Sequence, residues 1–226
     1  MKLTKIQLLD GELKKMKFDL CDLFEKCLRA SYIHVENDGS YSTYKINDTR
    51  YIFFQQSNGK QDWKNNFDFP SKAYQGMDVP WRCHRGFLKV WKSLLPYIEA
   101  NLEKSDFNSA IVVGYSHGAA LAALCYEYVW YNNPEKRDCL YGFSFGCPKI
   151  FFGNKNHLFL EERFQKFVNI INSGDIVTKI PPSFLGYRHL GKIICIGNSG
   201  KYLSVNDHRP QSYLNSLKAI RCILDV

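Results

Sequence analysis

The chain has 226 residues, of which 45% are hydrophobic and 15% aromatic, and its formal net charge is +8. This length suits one domain with a sizeable core, and the composition excludes a disordered chain. No apolar run approaches the roughly 20 residues that a membrane span needs. The first residues also lack the apolar stretch of a signal peptide. We therefore expect a single cytoplasmic domain over residues 1–226.

The positive charge is spread along the chain without a block of like charges, which is typical of a solvated surface. The alternative is attraction to anionic lipid or to an acidic substrate. No nucleic-acid-binding motif accompanies the charge, so no nucleic-acid partner is expected. The eight cysteines form no C-x-x-C pair, which predicts buried reduced thiols rather than a disulfide frame or a zinc site.

The first half of the chain predicts two amphipathic helices separated by a hairpin and a polar loop. Apolar residues recur at helical spacing in both helices, and a Pro/Gly-containing polar stretch precedes the second helix. The predicted elements are a helix over 13–28, hairpin strands over 41–46 and 51–56, a loop over 65–82, and a helix over 87–102 in which Pro96 introduces a kink.

The second half alternates short apolar strands with helices. The predicted strands are 110–113, 140–145, 167–171 and 192–196, and the predicted helices are 118–131, 158–165 and 211–223. Such alternation indicates an α/β fold with a mostly parallel central sheet and helices on both faces.

The pattern G-x-S-x-G occurs twice, around Ser116 and around Ser144. A nucleophilic serine of this pattern needs a strand, a sharp turn and then a helix, with small neighbours two positions away. Ser116 has this context, because an apolar strand precedes it and a run of Gly and Ala follows. Ser144 is soon followed by Pro148, which disfavours a helix there. We predict Ser116 as the nucleophile and Ser144 as part of a buried strand.

A serine hydroxyl needs a base, and the base needs a carboxylate to orient it. When the strand–turn–helix motif carries the serine, the chain order is serine, acid, histidine. Asp175 follows the predicted strand 167–171 and suits the acid. Of the two later histidines, His208 lies in a polar loop that can reach the serine, whereas His189 opens a strand-like segment. The earlier histidines fail the order test: His34, His84, His117 and His157.

Six segments in chain order resemble the landmarks of the class 3 lipases, the family of fungal triacylglycerol lipases and their bacterial relatives. The resemblance runs from about residue 51 to 213, and the six segments together are more specific than any one. They are 54–57 with 62–63 (family F-R-G-[ST] and D-W), 84–87 (H-x-G-F), 114–122 (G-H-S-L-G-G-A-L-A), 145–149 (F-G-x-P-R) and 172–182 (N-x-x-D-x-V-P-x-x-P-P).

The resemblance implies an α/β-hydrolase fold and a triad of Ser116, Asp175 and His208, in agreement with the order argument. It also implies an oxyanion hole formed by the backbone N–H of His117 and by Ser57. Residues 65–82 stand where the family carries a short lid, and they have an apolar side that could meet lipid: Phe67, Phe69, Tyr74, Met77, Val79 and Trp81.

The chain departs from the family pattern at three places. Gln55 and Gln56 replace the Arg and Gly of F-R-G-[ST], His117 replaces the usual Leu, and four residues separate His208 from Tyr213. Because the triad is complete, we expect an enzyme that cleaves carboxylic esters of lipids through an acyl-enzyme, without metal or organic cofactor. Its partners would be a lipid or small ester and, transiently, a membrane or lipid interface. The alternatives are a thioesterase or acyltransferase with the same triad, and a catalytically silent lipase-like binding module.

Overall fold

Two sheets and five helices make up the described part of this computed structural model. The structure describes residues 18–36, 39–56, 68, 70–74, 81–103, 107–153, 158–197 and 202–224. The helices are α1 (Leu20–Arg29), α2 (Arg85–Glu103), α3 (His117–Asn132), α4 (Leu158–Arg163) and α5 (Pro210–Leu224). The strands are β1 (Ile33–His34), β2 (Ser40–Ile46), β3 (Thr49–Phe54), β4 (Ser71–Tyr74), β5 (Trp81–His84), β6 (Ser109–Tyr115), β7 (Leu140–Phe145), β8 (Phe151–Phe152), β9 (Phe167–Asn172), β10 (Tyr187–Arg188) and β11 (Lys192–Ile196).

The larger sheet has seven strands in the order β1-β2-β3-β6-β7-β9-β11. Strands β3, β6, β7, β9 and β11 pair in parallel, and β1 and β2 are antiparallel to their neighbours. The predicted hairpin and the four predicted strands of the second half are therefore confirmed. All five parallel strands end at the same edge of the sheet, which we call the carboxyl edge.

The two faces of this sheet are covered by different helices. Alternate residues of a strand point to opposite faces, so Val112 packs with α2 and α3 in one buried cluster, whereas Val113 packs with α1 and α5 in the other. The predicted mostly parallel sheet with helices on both faces is confirmed.

Helix α1 begins later than its predicted start at residue 13. The side chain of Asp19 accepts hydrogen bonds from the amides of Cys21 and Asp22, at 2.9 and 3.1 Å. This is the bonding of an N-cap, which satisfies amides that the first helical turn leaves free. Residues 13–17 lie outside the described residues. The later helix α2 continues on both sides of Pro96.

The prediction of a loop over 65–82 is wrong for its described part. Strands β4 and β5 pair with each other and join β8 and β10 in a four-stranded antiparallel sheet. Tyr74 and Trp81, two of the residues assigned to the apolar side of the lid, stack on each other and are buried in the core. Residues 65–67, 69 and 75–80 lie outside the described residues, so the lid stays a prediction.

Candidate active site

Ser116 lies on a sharp turn between β6 and α3, as the sequence predicts. Its backbone has φ 57° and ψ −121°, a region that residues other than glycine rarely adopt. The amide of Ser116 donates to the carbonyl oxygen of Phe145 at the end of β7, at 2.9 Å. This turn lifts the serine off the carboxyl edge and leaves it half-buried among fully buried neighbours.

The glycines on either side of Ser116 are required by close backbone contacts. A Cβ at Gly114 would lie 2.1 Å from the carbonyl oxygen of Gly118. A Cβ at Gly118 would lie 2.2 Å from the carbonyl oxygen of Phe54, at the end of β3. Neither space admits a side chain, so helix α3 can begin directly against β6 and β3 only because both positions are glycine.

The imidazole of His208 lies between Ser116 and Asp175. Its Nε2 is 2.8 Å from Oγ of Ser116, and its Nδ1 is 2.7 Å from Oδ2 of Asp175. A carboxylate can only accept a hydrogen bond, so Nδ1 carries the proton and Nε2 is left to accept from the serine hydroxyl. Three residues from distant parts of the chain thus form one hydrogen-bonded line, in the chain order that the sequence predicts.

Asp175 is fully buried and accepts three hydrogen bonds. Besides His208, the Tyr213 hydroxyl donates to Oδ2 at 2.6 Å, and the Val177 amide donates to Oδ1 at 2.8 Å. A buried carboxylate is costly unless its oxygens are bonded in this way. The three donors fix the direction in which Asp175 faces the imidazole.

The loops that carry the acid and the histidine are bonded to each other. The side-chain amide of Asn172 donates to the carbonyl oxygen of Asp207 and to Oγ of Ser212, at 3.0 and 2.8 Å. The Ser204 amide donates to the Gly174 carbonyl at 2.8 Å. These bonds place the short helical turn that ends at His208 over the carboxyl edge.

Two tyrosines of the site were not predicted as site residues. Tyr213 bonds to Asp175, and the hydroxyl of Tyr115 donates to the backbone carbonyl of His208. The ring of Tyr115 also stacks on the His208 imidazole, with centroids 5.3 Å apart. Only their positions in the sequence could have indicated a role in the site. Tyr115 directly precedes the serine, and Tyr213 follows the histidine in the first turns of α5.

The side chain of His117 is buried, and the rings of His117 and His84 both contact Phe87. Burial and the neighbouring His84 lower the pKa of His117 to about 4, so its ring is neutral at neutral pH. The backbone N–H of His117 is at the first position of α3, where an amide has no partner within its own helix. Ser57, the other predicted oxyanion donor, lies outside the described residues.

The remaining candidates have other partners. Ser144 is buried in β7 and donates to Oδ1 of Asn169 at 2.9 Å. A ring nitrogen of His189 bonds to the Thr178 carbonyl at 3.0 Å, and burial lowers the pKa of this histidine to about 4. His34 bonds to Ser40 at the far side of the sheet, and His157 lies outside the described residues.

The parallel strand order and the serine turn at the carboxyl edge are those of an α/β-hydrolase. Within that class, the chain belongs to the class 3 lipase family, whose model matches residues 51–185. The family resemblance drawn from the six sequence segments is confirmed.

Curated relatives match a little over half of the chain. A secreted mono- and diacylglycerol lipase of Fusarium solani is 27% identical over 143 residues, covering 57% of this chain and 38% of the relative. A similarly named lipase of Malassezia restricta is 30% identical over 130 residues, covering 54% of this chain and 40% of the relative. A phospholipase A1 of Oryza sativa is 26% identical over 156 residues, covering 58% and 39%. The chain therefore matches about two fifths of the length of these relatives.

Solved lipase structures share the fold. A triacylglycerol lipase described as having a serine protease triad superposes with a TM-score of 0.66 at 18% identity, covering 79% of this chain and 77% of that one. The triacylglyceride lipase of Rhizomucor miehei gives a TM-score of 0.63 at 19% identity, covering 79% and 78%. At these identities the likeness shows the fold alone, and it confirms the predicted α/β-hydrolase fold.

The prediction of a cytoplasmic protein is wrong, because the similar lipases of Fusarium solani and Malassezia restricta are named as secreted. Among the described helices, none combines the length and the apolar character needed to cross a bilayer. In the same part of the chain, no group of three or more His, Cys, Asp or Glu side chains is placed to hold a metal ion.

Proposed function

We propose that this protein is a serine hydrolase that cleaves carboxylic ester bonds of lipids through an acyl-enzyme intermediate. One observation carries the proposal, namely the hydrogen-bonded line from Ser116 through His208 to Asp175, with distances of 2.8 and 2.7 Å. Membership in the class 3 lipase family supports the same chemistry. No metal or organic cofactor takes part in this mechanism.

The first half of the reaction transfers the acyl group to the enzyme. His208 Nε2 removes the proton of the Ser116 hydroxyl as Oγ attacks the ester carbonyl carbon. Asp175 holds the imidazole by its Nδ1 proton and stabilises the imidazolium that forms. The imidazolium then gives its Nε2 proton to the departing alcohol. The acyl group remains bonded to Oγ of Ser116 as an ester.

The second half returns the free enzyme. A water molecule replaces the alcohol, gives a proton to His208 Nε2 and attacks the acyl-serine carbonyl. The tetrahedral intermediate collapses, the carboxylic acid leaves, and the proton returns to Ser116 Oγ. The same imidazole therefore acts once as base and once as acid in each half.

We propose the His117 amide as one donor to the oxyanion, because it begins α3 beside the serine and benefits from the helix dipole. Ser57 is proposed as the second donor. The close contact of Gly118 with Phe54 supports this pairing, because the chain leaving β3 toward residue 57 starts against the first turn of α3. Each such donor contributes about 3–4 kcal/mol to transition-state stabilisation.

The proposed substrates are acylglycerols, phospholipids or simple acyl esters. The relatives include proteins named as mono- and diacylglycerol lipases and as a phospholipase A1. Part of residues 65–82 is proposed as a short lid over the site. Because β4 and β5 are paired and Tyr74 and Trp81 are buried, the outward part of such a lid is limited to the residues around and between these strands.

A fluorophosphonate probe tests the proposal directly. We expect the native protein to be labelled, the Ser116→Ala variant to lose labelling, and the Ser144→Ala variant to keep it. Ser144 is the matched control because it occupies the same motif in a buried strand. An unlabelled but folded native protein would reject the hydrolase and favour a binding module.

A panel of substrates then shows which kind of bond is cleaved and whether a lid controls activity. Triacylglycerol, monoacylglycerol, phospholipid, thioester and soluble ester substrates of rising chain length are compared with the native protein and with Ser116→Ala. A rise in rate where the substrate begins to form an interface supports a working lid, and a smooth dependence on concentration counts against one. A preference for thioester substrates would instead indicate a thioesterase, and transfer of the acyl group to an alcohol rather than to water would indicate an acyltransferase.

A further inference from the structure

The segment that carries His208 contributes no fully buried side chain to the core. We call residues 202–209 the histidine segment. All of its side chains are exposed or half-buried, including the apolar Tyr202, Leu203 and Val205. A segment with few buried apolar contacts opens locally at a lower free-energy cost than the core does. The hydrogen bonds that join the histidine segment to the sheet therefore decide where its imidazole stands.

Asn172 supplies a bond of this kind from the last position of β9, three residues before Asp175. Its side chain is buried, and its Nδ2 donates to the carbonyl oxygen of Asp207 at 3.0 Å and to Oγ of Ser212 at 2.8 Å. The first partner directly precedes His208, and the second lies in the first turn of α5. One amide group thus joins the strand of the acid to the chain on both sides of the histidine.

The orientation of the Asn172 side chain is determined by its partners. A backbone carbonyl can only accept a hydrogen bond, so the NH2 group must face Asp207. The opposite atom, Oδ1, accepts from Oγ of Ser216 at 3.3 Å. The side-chain amide therefore uses both its donor and its acceptor end, and it has one arrangement that satisfies its partners.

The backbone of Asn172 is bonded to the acid side of the site. Its N–H donates to the hydroxyl oxygen of Tyr213 at 3.1 Å, and that hydroxyl donates to Oδ2 of Asp175 at 2.6 Å. Hydrogen bonds in such a chain polarise one another, so each strengthens the next. The same residue thus contacts the histidine segment through its side chain and the carboxylate through its main chain.

The end of β11 leaves room for the Asn172 side chain. Gly197 follows this strand with φ 75°, and a Cβ there would lie 2.1 Å from Oδ1 of Asn172 and 2.9 Å from Oγ of Ser216. A larger residue would have to displace the amide or its partner on α5. The position of the amide is therefore fixed by β9, by α5 and by the glycine after β11.

We propose that Asn172 is a positioning residue for His208. Its side-chain amide holds the histidine segment against the end of β9, so that Nε2 of the imidazole stays 2.8 Å from Oγ of Ser116. Asn172 acts through His208 and Asp175, and its own side chain has no role in bond making or proton transfer. Its effect on rate rests on the proposed function, whereas its effect on the position of the imidazole does not.

Steady-state kinetics with a soluble ester test the effect on rate. We expect Asn172→Ala to lower kcat about a hundredfold with KM within about twofold, because a displaced catalytic group is costly whereas substrate contacts are untouched. Asn172→Asp keeps the shape but loses both donations, so it should lose as much. Ser212→Ala keeps the bond to the Asp207 carbonyl and should lower kcat only about threefold. A native kcat in Asn172→Asp would overturn the proposal.

Asn169 supplies a matched control on the same strand. It is also buried, its Nδ2 donates to the Leu190 carbonyl at 2.7 Å, and its Oδ1 accepts from Ser144 at 2.9 Å. These partners lie outside the histidine segment. Asn169→Ala should therefore lower the urea midpoint of unfolding at least as much as Asn172→Ala, while its kcat stays within about twofold of native. An equal loss of kcat in both variants would reduce Asn172 to an ordinary structural residue and overturn the proposal.

Proton NMR without substrate tests the position of the imidazole. The downfield signal of His208 Nδ1–H should move upfield and broaden in Asn172→Ala and stay in place in Asn169→Ala. The Ser204 amide, which donates to the Gly174 carbonyl at 2.8 Å, should exchange with solvent at least about tenfold faster in Asn172→Ala, while the amides of β6 keep their native rates. An unchanged signal and unchanged exchange in Asn172→Ala would overturn the proposal.

The two proposals fail separately. A folded native protein that hydrolyses no ester would reject the proposed function, and the NMR measurements would still decide whether Asn172 positions the imidazole. A native protein that hydrolyses esters, together with an Asn172→Ala variant of native kcat, would reject the positioning role alone.

Discussion

The hydroxyl of Tyr115 donates a hydrogen bond to the backbone carbonyl of His208, and the two rings stack. The residue before the proposed nucleophile therefore holds the loop that carries the proposed base. Burial and the charge of Asp175 raise the pKa of Tyr115, so its hydroxyl remains a donor. The class 3 pattern usually has histidine at this position, so this tether is a feature of this chain.

Tyr115→Phe removes this bond and keeps the ring. We expect kcat for a soluble ester to fall about tenfold with little change in KM, because small displacements of a catalytic group are costly whereas substrate contacts are untouched. The control is Tyr128→Phe, which removes a comparable tyrosine bond to Glu99 on the helix pair α2–α3. Equal kcat in both variants and the native protein would show that Tyr115 only fills space.

Tyr213→Phe removes one of the three donors to Asp175. Oδ2 of Asp175, which faces His208, would then lose its 2.6 Å hydrogen bond from the tyrosine hydroxyl. We expect kcat to fall about tenfold, because the carboxylate orients the imidazole less firmly. Asp175→Asn should cost far more, about ten-thousandfold, because the imidazole would take the wrong tautomer. The downfield proton signal of His208 Nδ1–H should shift in Tyr213→Phe and vanish in Asp175→Asn; an unshifted signal would contradict the role of Tyr213.

His117→Leu should make the protein more resistant to acid. Folding lowers the pKa of His117 from 6.5 to about 4, so the unfolded chain binds more protons between these values. The unfolding free energy of the native protein therefore falls as pH drops through this window, by up to about 3 kcal/mol that the leucine variant does not lose. Urea unfolding across the window measures the difference.

The exposed His34, which bonds to Ser40, gives the control for this experiment. His34→Leu should keep the acid loss of the native protein. Because His117→Leu retains the backbone amide, its hydrolytic rate should stay within a few-fold of native. If the unfolding free energies of the native protein and of His117→Leu changed equally with pH between about 4 and 6.5, the lowered pKa of His117 would be contradicted.

Arg163→Met should destabilise the fold by about 3–5 kcal/mol. Arg163 donates to Glu127, whose side chain is fully buried in α3, and removing one member of a buried pair leaves the other uncompensated. Burial raises the pKa of Glu127 to about 7, against the opposing effect of Arg163. The loss should therefore be larger above this pH than below it, where the acid is neutral.

A double variant separates the charge from the packing. Glu127→Leu combined with Arg163→Met removes both charges, and we expect it to recover most of the stability lost by Arg163→Met alone. Thermal or urea unfolding of the native protein, of Glu127→Leu and Arg163→Met alone, and of the double variant gives the coupling energy. Additive losses in the double variant would show that the two side chains do not stabilise each other.

The chain order of Ser116, Asp175 and His208 could be inferred from sequence because each residue follows a strand of a parallel sheet. Such strands end at one edge, so residues far apart in sequence meet there. The strands and helices of the second half could also be predicted from sequence. Each buries at least one face in the core, so its apolar residues recur with a regular spacing.

Other features depend on contacts that no local pattern records. Strands β8 and β10 have only two residues each, and they form because β8 pairs with β5 and β10 pairs with β8. No periodicity in the sequence reveals strands this short. Tyr115 and Tyr213 have the sequence character of ordinary core aromatics. Their bonds arise because α5 and the histidine loop fold back onto β6, a result of tertiary packing rather than of neighbouring residues.

The second G-x-S-x-G segment also has a geometric consequence, at its last glycine. Gly146 has φ 61°, and a Cβ there would lie 3.0 Å from Cε1 of His208 and 3.1 Å from Oδ2 of Asp175. Even an alanine would have to displace the imidazole, the carboxylate or both. Both copies of the motif therefore serve one imidazole. The first presents the hydroxyl to Nε2 of His208, and the last glycine of the second leaves room for the ring beside Asp175.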